Sequence, residues 1–210
     1  MITNPELRKL SDSISSLIQT AEATFDVDDE MRSHMAKYVC ILCSGLLENA
    51  IQHVYVDYIK TETTSASIIA FTTTFLSKIQ NPNAEKFRET AKNFKPEWGE
   101  HLKTFLQAEE RSSAINYIIR ERHRIAHGKD SDITLIRIKE YHSKAVELII
   151  FLEMQCGLIA PAPVVPEVEP IPEAVGATPP GAPGVEAPLA EPASAEEPPE
   201  ILPPAINATE

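Results

Sequence analysis

Proline is distributed unevenly along these 210 residues, and that limits what each part of the chain can become. Fourteen of the 17 prolines follow Leu158; only Pro5, Pro82 and Pro96 precede it. Proline lacks an N–H and clashes with the preceding turn of a helix, so a proline-dense stretch supports neither helix nor central strand. Residues 158–210 are mainly Pro, Ala, Val and Glu, without Lys or Arg and without apolar periodicity. They read as an extended, disordered acidic tail of polyproline II character, suited to docking a protein partner or acting as a spacer. Residues 1–157 form one ordinary domain, long enough to bury a core.

The partition changes the charge reading. The chain carries a formal −12, but nine acidic residues lie in the tail, leaving residues 1–157 at −3 with 19 basic and 22 acidic side chains. A uniformly acidic surface would repel phosphates. A nearly balanced domain can still carry a local basic patch, here expected between Arg120 and Lys139. Three cysteines, Cys40, Cys43 and Cys156, make an odd count, and Met1–Glu6 shows no basic-then-apolar leader. No uninterrupted apolar run approaches the ~18 residues that mark a membrane helix. The expectation is a cytoplasmic protein with reduced thiols and no membrane partner.

The domain reads as all-α, built on three or four long helices. Asn4-Pro5-Glu6 is a helix start, with a cap, a first-turn proline and a carboxylate at the positive end. Leu7, Leu10, Ile14, Leu17, Ile18, Ala21 and Phe25 follow at helical spacing. Asp26 is expected to cap a second helix reaching about Ile59, whose middle, Val39–Ile51, is apolar on most sides and reads as the buried centre. Ile68, Phe71, Phe75, Leu76 and Ile79 suggest a short helix, Asn83–Phe94 another, and Pro96 opens a third. Glu109–His127 reads as a helix ended by Gly128. Asp130-Ser131-Asp132 offers caps for the last helix, with Ile133, Ile136, Tyr141, Ala145, Leu148, Ile149 and Leu152 inward and Gly157 at its end. The four glycines of residues 1–157 are never adjacent, which excludes a glycine-rich phosphate loop.

Chemistry concentrates at Arg120-Glu121-Arg122-His123-Arg124-Ile125-Ala126-His127-Gly128. Three arginines and two histidines share eight positions, anchored by Ile115, Ile118 and Ile119 on the preceding turns. A guanidinium grips two phosphate oxygens at once, and a histidine exchanges a proton near neutral pH. The plain alternative is a helix end whose cations meet the negative end of the dipole. His123 and His127 are also spaced i, i+4 like half a metal site, but no nearby carboxylate or cysteine completes it, so no metal or other cofactor is expected. Cys40-x-x-Cys43 lies in the most apolar helix and reads as core. Glu48 is the only charge between Lys37 and Asp57; it can pair with a buried arginine, as a candidate to hold a motif side chain from behind, or sit at the exposed edge of its helix.

Arg122-His123-Arg124-Ile125-Ala126-His127 fits the pattern Arg, polar residue, three others, His. It resembles the signature of the HEPN superfamily (higher eukaryotes and prokaryotes nucleotide-binding domains), with His123 where Asn is more usual. Ile125-Ala126-His127-Gly128 matches that motif's common ending. The flanks, Asn81-Pro82-Asn83 with Glu85-Lys86-Phe87, Pro96-Glu97-Trp98, Ile133-Thr134 and Lys139-Glu140-Tyr141, resemble the RiboL-PSP-HEPN group. The likeness covers most of residues 30–155. It implies a HEPN-like helical bundle that homodimerises with the motifs facing each other. It also implies metal-independent RNA cleavage in a toxin or defence role, with Arg122, His127 and His123 catalytic and Arg120, Arg124 and Lys129 contacting RNA. Non-catalytic HEPN modules that bind partners or nucleotides are the alternative. Some HEPN toxins carry a tyrosine two positions after the motif histidine, where a nucleotidyltransferase modifies them; Lys129 stands there in this chain. Arg122 and His127 are five residues apart, ~140° around an ideal helix. Their convergence on one phosphate therefore requires a loosened last turn or a second subunit.

Removing residues 158–210 should leave the melting temperature of the domain unchanged within about one degree, because a segment without apolar periodicity has little to bury. A loss of several degrees in thermal denaturation would mean that the tail packs on the domain.

Overall fold

The computed structural model describes residues 1–159, all helix and connection with no strand among them. The expected tail lies outside the described residues except for Leu158 and Ile159, and Leu158 still packs on the core. Seven helices follow in order: α1 Pro5–Thr24, α2 Glu30–Glu62, α3 Ala66–Leu76, α4 Ala84–Phe94, α5 Pro96–Gln107, α6 Arg111–Ala126 and α7 Leu135–Gln155.

The expected start of α1 is present. The Asn4 side chain accepts from the backbone N–H groups of Glu6 and Leu7, both at 3.1 Å. The same residue ties three helices together. Its backbone N–H and that of Thr3 donate to the Glu153 carboxylate of α7, and its Nδ2 donates to Asp57 of α2 at 2.7 Å. Glu153 is fully buried, and these two backbone N–H groups hold both of its oxygens, as an interior charge requires.

The 33 residues of α2 form the axle of the bundle. By length and composition α2 is apolar enough to cross a membrane, yet its apolar face is covered by α1, α6 and α7. Val39, Cys40, Cys43, Leu46, Leu47, Ala50, Ile51 and Val54 are completely buried. Its opposite face is exposed at Met31, Tyr38 and Ile41. The α4 and α5 helices form a tight pair. A Cβ on Gly99 would lie 2.8 Å from the Lys92 Cβ, so only glycine allows that approach.

Four sequence expectations need correction. The cap of α2 is Asp29, not Asp26: its side chain accepts from Met31 N–H at 2.8 Å, while the Asp26 carbonyl closes the turn before it. The α6 helix begins at Arg111, because Glu109 and Glu110 hold positive φ of 52° and 57° and break the chain away from α5. The cap of α7 is Thr134, and Ile136 faces solvent. Finally, α3 buries only Leu76 and Ile79 of its expected face is half-buried, while Ile68, Phe71 and Phe75 are exposed.

His142 of α7 is buried beside Ser11, Nε2 to Oγ 3.4 Å, and burial lowers its pKa below the ordinary value of 6.5. The unfolded chain then binds a proton that the folded chain refuses. Stability should be full above pH 6.5 and fall as pH drops below it toward the folded value. Melting curves between pH 7 and 5 should decline less steeply for His142→Leu than for the wild type; parallel declines would assign the titration to another group.

Candidate functional site

The site is built on the last two turns of α6. Ala114, Ile115, Ile118 and Glu121 form its buried face. Tyr117 meets Tyr141 of α7 edge-to-face at 5.0 Å, so that flank faces α7. Arg122 lies ~140° around the axis from Tyr117, on the flank toward α2, whose Cys40 lies beside the Arg122 backbone. Cys40 of α2 confirms the contact: its Sγ donates to the Ile118 carbonyl at 3.5 Å. Arg122, His123 and Arg124 step ~100° apart, placing Arg122 toward α2, His123 outward and Arg124 toward α7.

The helix ends in a Schellman turn. Lys129 N–H donates to the Arg124 carbonyl at 2.9 Å and Gly128 N–H to the Ile125 carbonyl at 3.1 Å, with Gly128 at φ 64°. Gly157 closes α7 in the same way, with φ 70° and Leu158 N–H on the Glu153 carbonyl. His127 is the cap residue at φ −99°, ψ 15°, outside regular helical geometry. The last turn thus loosens at the motif histidine, and its ring centroid lies 4.3 Å from that of His123, tilted by 59°. Both histidines are exposed.

The side chains of the motif divide into engaged and open groups. Arg120 Nε donates to Glu121 at 3.0 Å. Arg124 Nε donates to the Asp130 carbonyl at 2.8 Å, its Nη2 donates to the same oxygen, and it lies 3.7 Å from Glu121. Arg122 is half-buried, and its guanidinium has no hydrogen bond or ion pair among the described residues. Lys129 is exposed, likewise with no side-chain partner among them.

Sequence reasoning missed Glu121, which looks like one more charge in a solvated run. It is 3 % exposed. One carboxylate oxygen accepts from Arg120; the other accepts from Ser131 Oγ at 2.9 Å. Glu121 therefore pins the loop after His127 back onto α6. Glu48 has a different role from the one expected: it accepts from the Asn81 backbone N–H at 2.7 Å and steadies the positive φ of 48° there, in the connection before α4. Cys40 and Cys43 are core residues. Burial, with the Glu121 charge second, pushes the Cys40 thiol up to about 12, and burial raises Cys43 as well, so neither supplies a thiolate. No group of three or more His, Cys, Asp or Glu among the described residues could hold a metal ion.

The model of the RiboL-PSP-HEPN family matches residues 5–157, which spans all seven helices and the motif. The chain belongs to the RiboL-PSP-HEPN family. No curated protein and no solved structure matches it. In this HEPN domain the family motif occupies the end of α6, with Arg122 open on one flank and the paired histidines at the cap.

Three substitutions test how the cap is held. Gly128→Ala forces a Cβ into left-handed backbone and should cost about 1 kcal/mol. Glu121→Ala leaves Ser131 and two arginines without their carboxylate and should cost ~1–3 kcal/mol, while Glu121→Gln, which keeps the acceptor oxygen, should lose less. Denaturant titration of the three variants checks the order; equal stability of Glu121→Ala and wild type would remove the pin.

Proposed function

We propose that this HEPN domain is a metal-independent endoribonuclease. The observation that carries the reading is the division of labour at the end of α6: an arginine with no side-chain partner among the described residues, and two histidines in ring contact at an exposed cap. The chemistry is attack of a ribose 2′-oxygen on the adjacent phosphorus. One imidazole takes the 2′-hydroxyl proton, the 2′-O–P bond forms, the P–O5′ bond breaks, and a protonated imidazole supplies the proton to the leaving 5′-oxygen. Arg122 stabilises the extra negative charge of the phosphorane. His127 handles a proton, and His123 shares that task or orients the phosphate. The products end in 2′,3′-cyclic phosphate and 5′-hydroxyl. Arg120 and Lys129 stand at the rim to meet the RNA backbone; Arg124 contributes charge while held by the Asp130 carbonyl.

The site is completed by a second copy of the chain. Arg122 and His127 lie on different flanks of α6, and the outward face of α2 exposes Met31, Tyr38 and Ile41. Gly45 continues that stripe with nothing within 4 Å of where its Cβ would be, leaving room for another helix. A two-fold contact along α2 would bury the stripe and bring two motifs together. A toxin or defence role is the setting such an activity suits.

A second reading, a non-catalytic interaction module, is favoured by α3. Residues 63–77 carry no charge and expose Ile68, Phe71 and Phe75, a composition suited to protein contacts.

Cleavage of single-stranded RNA with EDTA present separates the two. Arg122→Ala should lower kcat more than RNA affinity, by ~100-fold or more for a transition-state contact. His127→Ala should also flatten the rate profile between about pH 5 and 8. Cys43→Ala should cleave like the wild type. A wild-type protein that cuts no RNA, or cuts equally well as His127→Ala, would falsify the catalytic reading and favour the interaction module.

A further inference from the structure

The flank of α6 turned away from Arg122 carries a feature that cleavage chemistry does not require. Tyr117, Arg120 and Arg124 recur at spacings of three and four and share one face of the helix. Across the seam, Arg137 and Tyr141 sit four residues apart on α7. Two guanidinium groups gather on one ring: Arg120 Cζ lies 4.7 Å and Arg137 Cζ 5.6 Å from the Tyr117 centroid, and Tyr141 packs edge-on against the same ring at 5.0 Å.

The neighbouring cations are neutralised. Arg111 and Lys144 both meet Glu109 and Glu147, and Lys139 meets Glu22 at 2.8 Å. Arg137 is exposed and meets no carboxylate within 4 Å among the described residues. Arg120 shares its carboxylate with Ser131 and remains 62 % exposed. Glu121 meets Arg120, but no carboxylate among the described residues meets Arg137, so the seam keeps positive charge open to an anion, and the half-buried Tyr141 ring beside it offers apolar surface to a base. Single-stranded nucleic acid supplies that pairing of charge and flat apolar surface in each nucleotide.

We infer that the Tyr117–Tyr141 seam between α6 and α7 is a nucleotide subsite for single-stranded RNA, separate from the phosphate that is cut. Arg120 and Arg137 take a phosphate and the tyrosines take the adjoining base. The strand crosses from Arg122 over the exposed His123 to this seam. The subsite rests on the RNA substrate proposed above but not on cleavage.

Its test is an equilibrium measurement. A fluorescent single-stranded dodecamer of 2′-O-methyl RNA, which lacks the nucleophile, is titrated with the full chain and followed by anisotropy over a range of salt. Arg137→Gln should weaken binding about threefold or more and lower the slope of log affinity against log salt by about 0.7, one phosphate contact on a single strand. Lys9→Gln, an exposed cation on α1, should change neither. Tyr141→Leu should weaken binding, and Tyr141→Phe, which keeps the ring and the fold, should restore it. An Arg137→Gln protein with wild-type affinity and salt slope overturns the subsite even if the wild type cleaves RNA. Wild type that binds the dodecamer but cuts no cleavable RNA overturns catalysis alone. Wild type that does not bind RNA overturns both.

Discussion

The bundle depends on covering the middle of α2. Between Val39 and Val54, eight apolar positions are fully buried, and leaving them in water would cost about as much as the whole net stability of a domain this size. That requirement places α1, α6 and α7 around it, and it gives α6 a fixed flank on which Arg122 is presented. The motif is anchored through Ile115 and Ile118, so its geometry follows from the packing of α2. One flank of α2 is left open at Met31, Tyr38 and Ile41.

A second constraint is local. Between Arg124 and Asp132 the chain reverses through one glycine in left-handed backbone, two carbonyl-directed N–H groups and a buried carboxylate holding Ser131. The two histidines, four residues apart, share one face of α6, and Gly128 stops the helix directly after the second of them. The catalytic reading and the folding reading of Gly128 therefore describe one turn.

Much of this was legible in the sequence. The cap and face of α1, the buried centre of α2, the glycine stops of α6 and α7 and the placement of the motif all rest on local chemistry, which a single sequence displays. The misreadings share a cause. Asp130-Ser131-Asp132 looks like a better cap than Thr134, but Ser131 is drawn to Glu121, ten residues away. Glu121 looks solvated because its neighbours are arginines, and only the fold shows that it points inward. Glu48, a lone charge in an apolar run, reads equally as a partner for a buried arginine or as an exposed edge, whereas its partner is the Asn81 backbone. The α3 face has the right period for burial, yet periodicity records that a face is apolar and not what covers it. Each of these depends on contacts between distant segments.

The three cysteines are free and buried, and Cys40 is in direct contact with the helix that carries the motif. Alkylating reagents and peroxides attack thiolates, and burial keeps these groups as thiols. The folded domain is therefore chemically silent toward oxidants that would inactivate a cysteine enzyme. A thiol reagent reaches Cys40 or Cys43 only when α2 is exposed, so its rate of labelling counts openings of the core and gives a clock for the whole bundle from native residues alone.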